Sequence, residues 1–224
     1  MVSIIQKTIK WAVILFMALS LVGVVYYRFA PVHFTPLMAI RLVSPPEGEP
    51  RACHHRWVPL DSISPYLPVA VMASEDQLFT QHHGFDFQSL RQVVEERQSG
   101  KRYRGGSTIT QQTAKNLFLW PGGWVRKALE AWYTVLMELM WPKERIMECY
   151  LNSIEMGPGI YGAEAVAQEY FGCSARQLSR SECALIAATL PNPHKLSSLH
   201  PSPYVRKRQT QIKKQMRHID FLKN

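Results

Sequence analysis

Apolar residues fall along this chain in two ways: one unbroken run near the N-terminus, then short clusters at helical spacing. Residues 11–27 are seventeen positions without a charge, and only Ser20, Tyr26 and Tyr27 are polar. Coiled as a helix they cover about 26 Å, close to the ~30 Å hydrocarbon core of a bilayer, and Phe29 extends them. Lys7 and Lys10 precede the run and predict a cytoplasmic N-terminus, while Trp11, Tyr26 and Tyr27 suit the two interfaces. Arg28 on the far side argues mildly the other way. A cleavable signal peptide would have a shorter apolar region and a small-x-small site, where this chain has Tyr26-Tyr27-Arg28. Residues 1–30 therefore read as an uncleaved anchor, with everything beyond on the far side of the cytoplasmic membrane.

Residues 31–60 hold Pro31, Pro36, Pro45, Pro46, Pro50 and Pro59 without clear periodicity, and read as a linker that partly wraps the following domain. From Pro68 the pattern is helical. Apolar residues at 69, 71, 72, 78 and 79 predict a helix over 69–79, and Asp86 is placed to cap another through residues 95–97. Ser107 caps an apolar-periodic segment that reaches Leu119. Residues 125–141 predict a long helix stopped by Pro142, which can open the next over 143–151. A further helix over 163–171 follows glycine-rich turns, and Ser179 with Glu182 forms a capping box ahead of 184–190. Ser202 and Pro203 start a basic C-terminal helix. With no alternating strand pattern of any length, residues 61–224 are expected to be one mainly α domain.

Composition changes this picture in one respect. Of 224 residues 46% are hydrophobic and 19% charged, ample for a core and without the signature of disorder. The 26 Lys+Arg against 17 Asp+Glu leave a formal charge of +9, which suits an anionic partner or a merely soluble basic surface. The candidates are nucleic acid, an acidic membrane and a phosphorylated substrate, and the anchor argues against nucleic acid. Cys53, Cys149, Cys173 and Cys183 form no CxxC pair and no metal-ligand spacing, so they read as small buried residues, with a 173–183 or 149–183 disulfide left open.

Four segments carry residue types suited to chemistry. Glu75 and Asp76 are adjacent carboxylates at the end of an apolar helix. An acid in partly apolar surroundings has a raised pKa and can serve as a general base, whereas two solvated end residues would do nothing. His82-His83 follows, but no carboxylate–histidine helix spacing supports a metal site. Next, Gly105-Gly106 leads into a helix whose first turns bear Ser107, Thr108, Gln111, Gln112, Lys115 and Asn116. Backbone N–H groups at a helix start, joined by a lysine, suit phosphate or diphosphate, although the GxxxxGK spacing is absent and glycine–serine helix starts are common. Third, Arg126 and Glu130 share a helical face, with Lys127 beside them; this is ordinarily a surface ion pair, and in a phosphate site the pair would orient the arginine. Fourth, residues 143–152 and the glycine-rich 157–162 supply polar groups able to support a cleft.

In order, these segments read EDxxFxxHxGxD, GGSTITQQxxKN, RKxxE and KxxIxExYLN, and residues 163–172, 181–193 and 203–209 follow in keeping. Together they resemble the glycosyltransferase family 51 peptidoglycan polymerases over roughly residues 60–210. The chain carries no penicillin-binding transpeptidase domain after them, which resembles the monofunctional branch of that family. Two mild departures are Thr113, where leucine is usual, and the small-residue run over 163–167. The resemblance implies a lysozyme-like helical lobe with a smaller membrane-proximal jaw lobe, preceded by one transmembrane helix.

It also implies a reaction. A growing glycan chain, linked through diphosphate to undecaprenyl, would be the donor and lipid II the acceptor. Glu75 would deprotonate the acceptor hydroxyl, and Glu130 would be the second essential acid near the donor diphosphate. Ser107, Thr108, Gln111, Gln112, Lys115, Asn116, Arg126 and Lys127 would bind substrate. No metal site is expected from protein ligands; some family members are helped by a divalent cation, and Mg²⁺ or Mn²⁺ at the diphosphate is an option rather than a requirement. The partners implied are the lipid-linked substrates and the membrane, with cell-wall synthesis or division proteins as candidates. The place implied is the bacterial inner membrane, with the catalytic domain in the periplasm. The basic stretch 90–104, with Arg91, Arg97, Lys101, Arg102 and Arg104, reads as a mobile segment facing lipid. Two rivals differ in kind. A lytic enzyme of the same lineage would cleave glycan with a single acid and would not need the lysine-bearing helix or the RKxxE pair. A non-catalytic scaffold would tolerate loss of either glutamate.

Overall fold

The N-terminal apolar run folds as a single helix, α1 (Val2–Phe29), in the computed structural model, which describes residues 2–88, 91 and 106–221. Residues 4–29 are long and apolar enough to cross a membrane, with a mean hydropathy of 2.2, and little of that surface is covered by protein. A soluble core helix would be buried; this one keeps Ile4, Ile9, Trp11, Leu15 and Leu19 exposed. Its C-terminal third does pack on the domain. Trp132 donates its indole N–H to Ser20 Oγ (3.0 Å) and Trp141 donates to the Val24 carbonyl (2.9 Å). Arg145 donates to the carbonyls of Tyr27 and Ala30, where the partial negative charge of a helix C-terminus attracts a cation. The anchor is thus continuous with the domain rather than strung from it.

The chain then forms α2 (Pro36–Val43), capped by Thr35, whose Oγ1 accepts from Met38 N. Next comes α3 (Tyr66–Glu75), and after the residues that fall outside the description, α4 (Ile109–Phe118). The long α5 (Trp124–Met140) and α6 (Lys143–Ser153) follow on either side of Pro142. α7 (Ala163–Val166) runs on into a π-helical turn over Ala167–Phe171, then come α8 (Arg180–Thr189) and α9 (Pro203–Gln215). The mainly α expectation holds. Strands do occur, at lengths too short to leave an alternating pattern: β1 (His54–His55), β2 (Glu155–Gly157) and β3 (Ile160–Tyr161), in the order β1-β3-β2. Gly162, at φ +85°, turns β3 into α7 with the Asn152 carbonyl so close that a Cβ would meet it at 2.6 Å.

Two packings organise the domain. α8 is buried nearly all round, its Ala184, Ala187 and Ala188 letting α3 and α9 approach closely. α4 lies between α5 and α6, and on its other side meets α2. Tyr150, Tyr161 and Phe79 are the bulkiest fully buried side chains among the described residues. The four cysteines are separate thiols, so neither bridge considered from sequence is formed. Burial pushes the thiols of Cys149 and Cys183 up to about 12, which leaves them chemically inert core residues.

Two boundaries differ from the periodicity. The helix expected over 69–79 ends at Glu75, because Asp76 leaves helical geometry (φ −155°, ψ 83°) to bond elsewhere. α4 is capped by Thr108, one residue after Ser107: Thr108 Oγ1 accepts from Gln111 N, and Gln111 Oε1 accepts from Thr108 N. The helix expected after Asp86 and the basic stretch 90–104 lie outside the described residues, apart from residues 87, 88 and Arg91.

Candidate active site

Where α3 ends and α4 passes, a cleft of about 530 Å³ opens. Ser74 and Glu75 reach it from the last turn of α3, and Gln112, Lys115 and Asn116 reach it from successive turns of α4. The i, i+3, i+4 spacing of those three puts them on one face of the helix. Leu37 and Arg41 of α2 form a further wall, so part of the stretch 31–60 shapes the cleft directly. Glu155, His194, Tyr204 and Arg208 complete the polar lining.

Glu75 is half-buried. Ser74 Oγ donates to its Oε1 (3.0 Å) and Gln112 Nε2 donates to its Oε2 (3.3 Å). Tyr150 donates to Gln112 Oε1 at 3.5 Å, and burial raises its phenol well above the ordinary range, with the charges of Glu75 and Asp76 adding to the effect. Asp76, the neighbouring acid, does different work. Both of its oxygens lie about 3 Å from His82 Nε2 (2.9 and 3.0 Å), and Oδ2 accepts from Ile109 N (2.9 Å), an otherwise orphaned N–H in the first turn of α4. It joins the end of α3 to the start of α4 and so fixes Glu75 against Gln112. The turn that carries His82 is fixed in its place from α6: Lys143 donates to the His82 carbonyl (2.7 Å) and to Glu138 (2.8 Å), and sits over the Phe79 ring. Gly84 (φ +84°) closes the same turn against α5, where a Cβ would meet the Thr134 methyl at 2.6 Å.

Glu130 stands in a second cluster. It is 3% exposed, and Arg126 and Lys127 both pair with it. Lys127 also reaches Ser107 Oγ (3.4 Å), bringing the residue before the α4 cap to the same place. Lys115 links this cluster to the cleft. Burial lowers its pKa first of all; Glu130 opposes that, Arg126 adds to it, Glu155 opposes and Lys127 adds. Three cations therefore gather around one buried carboxylate, leaving a positive excess beside the cleft.

The residues singled out from sequence divide into three groups. Glu75, Gln112, Lys115 and Asn116 line the cleft; Ser107, Arg126, Lys127 and Glu130 form the adjoining cluster. Thr108 and Gln111 are occupied in the α4 cap, and Thr108 Oγ1 also donates to the Gly84 carbonyl (2.7 Å). Asn116 is notable: it is fully buried, and both polar atoms of its amide lack a hydrogen-bond partner although it lines the cleft. Such a group costs about 1–3 kcal/mol unless something binds it. Among the described residues no three His, Cys, Asp or Glu side chains gather as they would around a metal ion.

Sequence reasoning did not single out Arg41, Glu155, His194 or Arg208. His194 lies between Glu49 (2.7 and 2.9 Å from Nδ1) and Glu155 (3.1 Å from Nε2), with Arg41 Nη2 at 3.2 Å. These residues come from four distant stretches, and nothing local marks any of them as part of a cleft.

Comparison with known proteins adds an independent finding. Residues 46–217 match the family model described as Transglycosylase. Three relatives share the description "Biosynthetic peptidoglycan transglycosylase". The chain is 54% identical to that of Bacteroides thetaiotaomicron over 213 residues, covering 93% of this chain and 86% of the relative. It is 55% identical to that of Caulobacter vibrioides over 194 residues (86% and 82%), and 52% identical to that of Bdellovibrio bacteriovorus over 209 (92% and 84%).

Proposed function

This chain belongs to the transglycosylase family, and from that premise we propose that it polymerises peptidoglycan glycan strands from lipid II at the membrane surface. The observation that carries the reading is that one helix, α4, meets the Glu75 carboxylate of α3 at Gln112 and, one turn on, brings Lys115 beside the Arg126–Lys127–Glu130 cluster of α5. Glycosyl transfer to a sugar hydroxyl with departure of a diphosphate needs both: a base for the hydroxyl proton and positive charge where the leaving group gathers negative charge.

On this reading Glu75 accepts the proton of the acceptor's 4-hydroxyl as that oxygen attacks the donor's anomeric carbon. The bond to the diphosphate breaks on the opposite face, giving inversion and a β-1,4 linkage and releasing undecaprenyl diphosphate. Lys115, Arg126 and Lys127 receive the diphosphate charge, and Glu130 orients the last two. Ser107 and the unpartnered Asn116 amide supply hydrogen bonds to the donor and acceptor sugars or phosphates, while Thr108 and Gln111 act by holding the start of α4. On this reading the side-chain cations supply counter-charge to the diphosphate, and a Mg²⁺ or Mn²⁺ there is an option rather than a requirement.

The anchor fits substrates that cannot leave the bilayer. α1 brings the cleft to the surface, and Lys7 and Lys10 at its start favour a cytoplasmic N-terminus with residues 61–224 as a periplasmic catalytic domain. The decisive experiment incubates the detergent-solubilised chain with lipid II. Polymer that lysozyme digests supports the reading. Failure to make polymer, together with cleavage of isolated sacculi, would replace it with the lytic alternative.

A further inference from the structure

Arg208 stands on α9, far in sequence from the motifs around Glu75, yet it lines the same cleft. Its Nε donates to the Ala188 carbonyl (3.2 Å) and its Nη2 to Ser74 Oγ (3.2 Å). The same Ser74 Oγ lies 3.0 Å from Glu75 Oε1 and 2.9 Å from the Ala187 carbonyl. Ala187 and Ala188 belong to the last turn of α8, where the carbonyls carry the helix's partial negative charge and fix a guanidinium in place.

A hydroxyl has one proton and two lone pairs. With Arg208 donating to Ser74, the serine proton has two acceptors to choose between. An ionised Glu75 is the stronger acceptor and draws it; a protonated Glu75 is the weaker, and the proton turns to Ala187. The guanidinium also makes Ser74 a better donor and a poorer acceptor, because hydrogen bonds in a chain polarise one another. Both effects favour the charged carboxylate over the neutral acid. Gln112 holds the other carboxylate oxygen, so the two donors together fix the plane of the group.

We infer that Arg208, acting through the Ser74 hydroxyl, is a positioning residue that keeps the Glu75 carboxylate ionised and aimed into the cleft. The inference rests on the reading of Glu75 as the base. Other charged or titratable groups share the walls: Lys115 on α4, Arg41 on α2, Glu155 on β2, His194 from the segment before α9, and Tyr204 in the first turn of α9. Asp76 is adjacent in the chain but paired with His82, and Tyr150 lies beneath. Because His194 and His82 share this neighbourhood, the test must separate their contribution from that of Glu75.

The test follows initial rates of lipid II polymerisation by the full-length chain in detergent across about pH 5–9. Wild type is compared with Ser74→Ala, Arg208→Gln, Arg208→Lys and Glu75→Gln. Ser74→Ala and Arg208→Gln should each lower kcat about 3- to 30-fold with little change in KM, and move the acid limb of kcat/KM upward by about one pH unit. Arg208→Lys should restore part of that displacement, since it keeps the charge but not the two-pronged geometry. A purely structural Arg208, tying α9 to α8, would instead lower the thermal midpoint and leave the limb of the folded fraction where it was. An unmoved limb in both Ser74→Ala and Arg208→Gln overturns the inference. Should Arg208→Gln fail to fold, Ser74→Ala decides alone, because it deletes one oxygen atom and leaves the Arg208–Ala188 contact between α9 and α8 in place. Glu75→Gln separates the two levels. If its residual activity keeps the limb, the base assignment itself is wrong and this inference goes with it. If it loses the limb while Ser74→Ala and Arg208→Gln keep theirs, only the positioning role fails.

Discussion

Glu75 and Glu130 are both glutamates near α4, and they differ in exposure and in setting. The donors to Glu75 include Ser74 and Gln112, both neutral, and the carboxylate is half-buried on a cleft wall. Glu130 is 3% exposed and is gripped by Arg126 and Lys127. Paired with two cations and shut away from the cleft, Glu130 serves as a fixed counter-charge that holds them in place. Glu75 instead stands half-buried on the wall of an open cleft, where a bound hydroxyl can reach it. The same side chain is therefore suited to acid–base work at one site and to orienting cations at the other, and the neighbours decide which.

The comparison can be broken most severely at Glu75. Glu75→Gln keeps size and polarity but cannot accept the proton, so polymerisation should fall about 10²–10⁴-fold with donor binding retained. Near-normal turnover by folded protein would remove the distinction. Glu130→Gln should fail in a second way. Removing one partner of a buried ion pair leaves Arg126 and Lys127 uncompensated, at a cost of about 3–5 kcal/mol for a fully buried pair and less here because Lys127 is partly exposed. Calorimetry should show a lower unfolding midpoint, and binding of a diphosphate-bearing donor analogue should change along with turnover; an effect on turnover alone would make Glu130 resemble Glu75.

A milder perturbation sharpens the contrast from the side of Lys115. Burial lowers its pKa, so as pH rises it loses its charge earlier than an ordinary lysine, and donor affinity should decline on the alkaline side. Lys115→Arg, which stays charged, should flatten that decline in a titration of donor-analogue binding, whereas an unchanged alkaline profile would place the titration elsewhere. The smallest effect is expected at Thr108. Losing this cap should cost about 1 kcal/mol of stability, seen in the thermal midpoint, with KM for lipid II nearly unaltered. A large KM change would return Thr108 to direct contact with substrate.

Much of this was legible beforehand because it rests on local rules. The apolar run predicts α1, Pro142 separates α5 from α6, and Ser179 with Glu182 marks the start of α8. The Gln112–Lys115–Asn116 face follows from helical periodicity alone once α4 is recognised. Other features were hidden because their cause is distant. α3 stops at Glu75 through bonds from Asp76 to His82 and Ile109, which no window of sequence around residue 76 displays. The short strands are held by pairing between residues 54–55 and 160–161, not by an alternating pattern.

Sequence by itself determined the class of chain, a mainly helical domain behind a helix long and apolar enough to cross a membrane, and the identity of the acids and cations in its motifs. Helical period, capping chemistry and unbroken apolarity act over a few residues and so can be read from a few residues. Only the tertiary structure decided which acid faces what. Asp76 and Glu75 are neighbours in the chain, yet one reaches the start of α4 and the other the cleft. Arg41, His194 and Arg208 are ordinary residues in sequence and become walls of a site because α2 and α9 are packed there. Electrostatic environment is a sum over neighbours in space, and space is what the linear order leaves unspecified.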